Sequence, residues 1–508
     1  MSLSPPAHEG VPDVGACVQR PERIDPARNS AIGLAYNVFS LSGRIVLFAA
    51  LPRLIPYAPL GRYFYIIAVV ALVTKFLDWG SAGMVQRFII PMYHIAPEKI
   101  RPFLHAIGVH KILLVGVVVL LGIFAYPPDQ SQLEFWAIIA AATALTFASL
   151  AGKVLYSADQ FLTLRGTELS YQLLQPALVV ALFFILGPAG VPTAVVVSTL
   201  VLLGLNTAFS WKHVPDSAEK RYRWSREEIR FGLVVYLGNM AFTEFPSVTV
   251  ALINWVYPEQ PAVQAIAGVA VALSLRMLVQ FCSFIPSSTE NYVMQIGTLG
   301  STHELSAAFR RQWQQTSLIA VALVVLVLVS ADAVIPILLG EKYAAASEFV
   351  IAFLPASLLL TWLYLFRNYV FVVRNYGVYI VAPIVSMAVY VGLMAYTLRT
   401  PEDASRAGVL TAIALFIALM IHAAALRHLA SAGVLLKLLM KVAWPSIVAA
   451  VAVLPVRHLV KMAPYSEYIG SVVYPVVAGG VFLGCALAAG LLPRSLVPDL
   501  WNRLKQRT

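Results

Sequence analysis

Charged side chains occupy several stretches of this sequence that are otherwise apolar. Arg44 lies within residues 31–54, Lys75 and Asp78 within 62–80, and Arg165 and Glu168 within 164–186. Glu244 lies within 229–256, Arg276 within 262–285 and Arg367 within 349–373. If such stretches cross a membrane, a charge at mid-depth costs about 2.5 kcal/mol or more, so it faces a partner, a cavity or water. Arg44 and Arg276 have no residue of opposite sign near them on their own stretch. They call for a partner elsewhere, water, or an anionic ligand. A guanidinium is a planar fork that donates to phosphate through two hydrogen bonds at once, so phosphate is the anion this chemistry suits best. Lys75–Asp78 and Arg165–Glu168 are each three residues apart, on one helical face. Each pair either neutralises itself or serves a function. Glu244 precedes Pro246 by two residues, and that proline releases a backbone carbonyl. Glu244 can bind a cation or proton, or act as counter-ion to Arg44 or Arg276; the counter-ion reading is preferred.

The elements that must position these charges are membrane helices. The chain has 508 residues, of which 59% are hydrophobic and only 12% charged. Its mean hydropathy is +0.78. Soluble domains carry about 25% charged residues, so this chain needs lipid against much of its surface. A spanning helix takes roughly 20 mostly apolar residues. Fourteen such stretches are expected: 31–54, 62–80, 105–126, 133–156, 164–186, 191–211, 229–256, 262–285, 316–339, 349–373, 376–398, 408–429, 436–456 and 468–492. Three longer connections stand out, at 81–104, 212–228 and 286–315. Tyr57, Tyr63, Tyr65, Trp79, Trp136 and Trp255 suit anchoring at membrane interfaces. The fold class expected is an all-α polytopic membrane protein.

Lys and Arg in the connections set the orientation. With the N-terminus inside, cytoplasmic segments carry about 18 Lys and Arg against about 5 outside. The strongest block is Lys212, Lys220, Arg221, Arg223, Arg226 and Arg230. The net charge of +11 therefore reads as positive-inside bias rather than nucleic-acid binding. Residues 1–29 hold prolines and both charge signs without an apolar core, and read as a disordered cytoplasmic tail. The division expected is 30–211 for six helices, 212–228 for a basic cytoplasmic linker, 229–430 for six more, and 431–493 for two further helices. Residues 494–508 then form a basic cytoplasmic tail. Cys17, Cys282 and Cys485 are far apart, and the histidines show no ligand spacing, so neither a disulfide framework nor a metal site is expected. There is no Gly-rich phosphate loop, nucleophile elbow or large soluble domain. That argues against an ATPase or a nucleotide-sugar glycosyltransferase, and no cofactor is expected.

Two stretches add a resemblance. One runs Leu60-Gly61-Arg62-Tyr63, an apolar run, Asp78-Trp79-Gly80-Ser81-Ala82-Gly83, then Arg87-Phe88. The other is Leu338-Leu339-Gly340-Glu341-Lys342-Tyr343-Ala344. They resemble the polysaccharide transporter family, which includes the O-antigen and exopolysaccharide flippases of the multidrug/oligosaccharidyl-lipid/polysaccharide exporter superfamily. The resemblance implies two six-helix lobes around a central cavity, two helices packed outside, and alternating access by rocking of the lobes. It implies a bacterial inner-membrane transporter, not an enzyme, that carries a polyprenyl-pyrophosphate-linked oligosaccharide, with membrane lipid and a polymerase or glycosyltransferases as partners. Basic residues on the first, second, seventh and eighth spans line the cavity in that family, which marks Arg44, Lys75 and Arg276 as substrate-binding. Asp78 and Glu244 are the candidates for ion coupling or charge balance. The family's seventh helix often carries an Asp in its outer half, whereas here Glu244 is followed by no acid until Glu259. Other readings are a peptidoglycan-precursor flippase, a multidrug or cation antiporter of the same superfamily, and a non-transporting scaffold subunit of a polysaccharide synthase.

Overall fold

The computed structural model describes residues 47–125, 132–158, 160–218, 221–242, 244–283, 301–461 and 466–489, with positions 43, 45, 285, 286, 289, 293, 296, 297 and 491 beside them. The described residues are overwhelmingly helical. The end of α1 covers 47–54. There follow α2 (Tyr57–Asp78), α3 (Ser81–Ile95), α4 (Ile100–Ala125), α5 (Gln132–Ser157), α6 (Phe161–Leu186) and α7 (Gly190–Ser210). Next come α8 (Arg226–Phe242), α9 (Phe245–Val256) and α10 (Pro261–Cys282). The last six are α11 (Thr302–Leu339), α12 (Ala346–Val372), α13 (Tyr376–Thr397), α14 (Ala407–Ala425), α15 (Ala432–Lys461) and α16 (Ser466–Ala488).

Eleven helical stretches among the described residues are long and apolar enough to cross a membrane. One of them, Phe161–Trp211, is a hairpin of α6 and α7 turned at Gly187–Ala189. The seventh expected span is two short helices, and the first lies largely outside the described residues. With those allowances the eleven match the fourteen stretches read from the sequence. The lipid-facing surface is explicit on α4, where Ile112, Leu113, Leu120 and Leu121 are exposed while Lys111 points inward and is buried.

Three expectations need correction. The connection at 81–104 is mostly helix, since α3 and the start of α4 fill it. The connection at 286–315 is helical from Thr302, because Ser301 and Glu304 form a reciprocal cap that starts α11 well before its apolar run. The span at 229–256 is not one helix. Pro246 has no N–H for the carbonyl of residue 242, so α8 ends there, and α9 restarts with proline in its first turn and Glu244 as its N-cap residue.

Packing sets up two groups of helices joined by α2. In one group α5 packs on α7, α6 on α7, and α3 on α5. In the other, α12 packs on α14, α11 on α12 and α13 on α14. The last two helices, α15 and α16, pack on each other and on α11. Between the groups, α2 runs parallel to α10. A Cβ on Gly61 would lie 3.1 Å from Gln264, and one on Gly268 would fall 2.4 Å from the ring of Phe64. The absence of side chains there lets the two helices approach closely.

Candidate functional site

Arg276 sits in a π-helical stretch of α10, Ala272–Leu278. Such a wide turn displaces the side chain it carries and loosens the regular backbone pairing. The carbonyl of Ser274, in that stretch, accepts from the buried hydroxyl of Ser357 on α12, at 3.0 Å. Arg276 itself donates from Nη2 to Ser247 Oγ on α9, at 3.2 Å. Ser247 lies just after the break between α8 and α9, and Glu244 at that break is only 4% exposed. Glu244, Tyr63 of α2 and Tyr171 of α6 all lie within electrostatic reach of Arg276. Side chains from both groups of helices thus act electrostatically on the guanidinium. Its neighbours Leu275 and Met277 are buried, while Arg276 keeps partial exposure. Tyr171 stands on α6, which packs chiefly on α7 and also on α5, so its influence on Arg276 comes from the other group of helices. Of the expected site residues, Arg276 and Glu244 are therefore brought together.

Arg44 lies outside the described residues. Lys75 and Asp78 sit at the far end of α2. In the parallel register of α2 and α10, Phe64 is level with Gly268, so Arg276 falls near residue 72, within about one turn of Lys75. The expected Lys75–Asp78 neutralisation is not the pairing found. Asp78 accepts from Lys111 Nζ on α4, at 3.1 Å, and Lys111 is 1% exposed. Asp78 also accepts from the Ser81 hydroxyl at 2.8 Å and from the Ala82 N–H at 3.3 Å, which caps the start of α3. Lys75 remains within electrostatic reach of Asp78. The Arg165–Glu168 pair does form, at 2.7 Å. Arg367 donates to the Tyr379 hydroxyl, with the ring 4.9 Å from its guanidinium carbon, and Tyr379 donates to Asn239 at 3.2 Å. Arg367 thereby ties α12, α13 and α8 together.

Lys111, Tyr171 and Ser247 were missed in the sequence. Lys111 carried a signal, being the only charged residue between 102 and 128. Tyr171 and Ser247 carried none, since neutral polar residues are common in membrane helices. The interface anchors also divide. Trp136 and Trp255 are exposed, but Tyr63 is buried, and Trp79 packs on His110 with ring centroids 4.6 Å apart.

Contacts tie neighbouring segments together at both ends of α2, which are about 33 Å apart for 22 residues. At the Tyr57 end, Arg53 Nε donates to Leu338 O at 3.0 Å and its Nη2 donates to Ile337 O. The Tyr57 hydroxyl donates to Lys342 O, and the Tyr57 and Tyr343 rings are 5.0 Å apart. At the Asp78 end, Trp79 and Gly80 have positive φ, 46° and 76°, and turn the chain into α3. A Cβ on Gly80 would come within 2.0 Å of Gly232 O on α8, so glycine is needed for both the conformation and the contact. Beyond it, Arg87 lies 4.3 Å over the Phe231 ring and pairs with Glu227 at 3.4 Å. Both stretches that carried the family resemblance thus take part in these contacts.

No protein-family model matches the chain, and no curated protein matches it. Solved structures do. The lipid II flippase MurJ in an inward closed conformation aligns with TM-score 0.60 and 11% identity, over 91% of this chain and 97% of its own. A multidrug resistance MATE family transporter of the MOP superfamily aligns in an outward-facing conformation with TM-score 0.58 and 14% identity, over 82% and 98% of the two chains. An inward-facing MATE family structure aligns with TM-score 0.57 and 12% identity, over 80% and 99%. The chain has the fold of these transporters. At such low identity the architecture is what they share.

Proposed function

We propose that the protein is an alternating-access transporter that moves a polyprenyl-pyrophosphate-linked oligosaccharide across the bacterial inner membrane, for exopolysaccharide, capsule or O-antigen synthesis. The observation that carries this reading is Arg276: a partly exposed guanidinium held in a π-helical stretch, within electrostatic reach of side chains from both groups of helices, with the space it faces as the proposed transport cleft. A pyrophosphate cannot cross hydrocarbon unaided, and a fixed cation in a cleft lowers that barrier. Glu244 within reach of Arg276 keeps the cleft from holding an uncompensated charge when it is empty, and Lys75 adds positive field about one turn away. The polyprenyl tail stays in lipid. The lobes are residues 30–211 and 229–430, linked through the basic segment 212–228, with 431–493 packed outside and both termini cytoplasmic. A polymerase or glycosyltransferases acting on the same lipid are the natural partners.

A second reading, flipping of a peptidoglycan lipid precursor, is favoured by one observation. The alignment with MurJ covers 91% of this chain, against 80–82% for the MATE family structures. Reconstitution of the purified protein in liposomes with a labelled lipid-linked oligosaccharide tests both. Protein-dependent exposure of the sugar to an external reagent, lost in Arg276→Gln, is the expected result. Movement of lipid II alone would move the assignment to the second reading, and movement of neither would end both.

A further inference from the structure

The part of α6 within electrostatic reach of Arg276 has a chemistry of its own. On α6, Tyr171 and Gln175 are four residues apart and share one face. Gln175 Nε2 donates to the Tyr171 hydroxyl at 3.1 Å. Both are partly exposed, about 15–21 Å along a helix of 26 residues, which is mid-membrane depth. An amide and a phenol at that depth are costly against lipid, and Tyr171 lies instead within reach of Arg276. The charged residues of α6 are consumed earlier, in the Arg165–Glu168 pair. What α6 itself presents at this depth is neutral, an amide that offers donors and acceptors together with an aromatic face beside it. Vicinal hydroxyls and a pyranose ring face would find what they need.

We infer that Tyr171 and Gln175 form a sugar subsite, which receives the sugar adjoining the pyrophosphate while Arg276 takes the phosphate. This deepens the transport reading above and rests on it. The test is binding by the full-length protein in nanodiscs of two probes, a polyprenyl pyrophosphate without sugar and the same lipid carrying one hexose. The wild type is expected to bind the glycosylated probe about tenfold more tightly, the gain from one or two added hydrogen bonds. Gln175→Leu should erase that gain while binding of the bare probe changes less than about twofold. Tyr171→Phe, which keeps the ring, should erase part of it. A sugar-dependent gain that survives in Gln175→Leu, or equal losses for both probes, would overturn the subsite while leaving the transport reading standing. Wild-type protein that binds neither probe would overturn both.

Discussion

Lys111 is buried to 1% exposure, and its ammonium lies 3.1 Å from Asp78, whose own oxygen also caps α3. A buried pair of this kind adds little net stability, but breaking it is expensive, because one charge is left without compensation. Lys111→Met is expected to lower stability by about 3–5 kcal/mol, read as the unfolding midpoint of the purified protein in detergent. Adding Asp78→Asn should restore part of that loss, so the double variant is less destabilised than the sum of the two singles. Strict additivity would mean that the pair does not act as a unit. Arg276 calls for a different substitution. Arg276→Lys keeps the charge but removes the planar fork, so transport of a pyrophosphate lipid should fall severalfold rather than be preserved. Full activity in that variant would reduce the role of Arg276 to that of a point charge.

At the scale of elements, Gly80 and Gly232 bring the elbow between α2 and α3 against α8. A Cβ on Gly232 would come 2.5 Å from the Met84 sulfur. A cysteine pair at Met84 and Gly232, in a background with the three native cysteines replaced by serine, is therefore expected to oxidise readily. It should stop transport until a reductant is added. Continued transport by the crosslinked protein would show that this contact does not open during the cycle. Helix existence was legible here and helix bounds were not, for a definite reason. Hydropathy finds the lipid-exposed run, so α11 was read from 316 although Ser301 and Glu304 cap it fourteen residues earlier. The break before α9 was visible as Pro246 and was still read as one span, because apolar residues continue on both sides. Intramembrane charges were legible one at a time. Their partners were not: Asp78 finds Lys111 33 residues away, and Arg276 finds Ser247 29 residues away, and both pairings depend on packing.

At the scale of the molecule, the two ends of α2 carry two separate sets of contacts, with Arg276 at a level between them. The Arg53 and Tyr57 contacts to 337–343 lie at one end, and the Arg87 contacts to Glu227 and Phe231 at the other, and the proposed cycle takes them as its two closures. An alternating-access cycle requires that either set release while the other holds. The first set amounts to a few hydrogen bonds and an aromatic contact, the second to an exposed ion pair and a cation–π contact, so one substitution in either shifts the balance by about 1 kcal/mol, severalfold in population. Ser247, which accepts from Arg276, supplies the probe: Ser247→Cys in a background without native cysteines reports access to the cleft. A membrane-impermeant maleimide should label it slowly from both faces of the membrane in otherwise unaltered protein. Arg87→Ala should raise labelling from the face bearing the basic segment 212–228, and Arg53→Ala from the opposite face, each by roughly fivefold to tenfold. The opposite sidedness is the decisive feature, since general loosening of the fold would raise both rates together. Labelling that rises equally from both faces in either variant would remove these contacts as the two closures of the cycle.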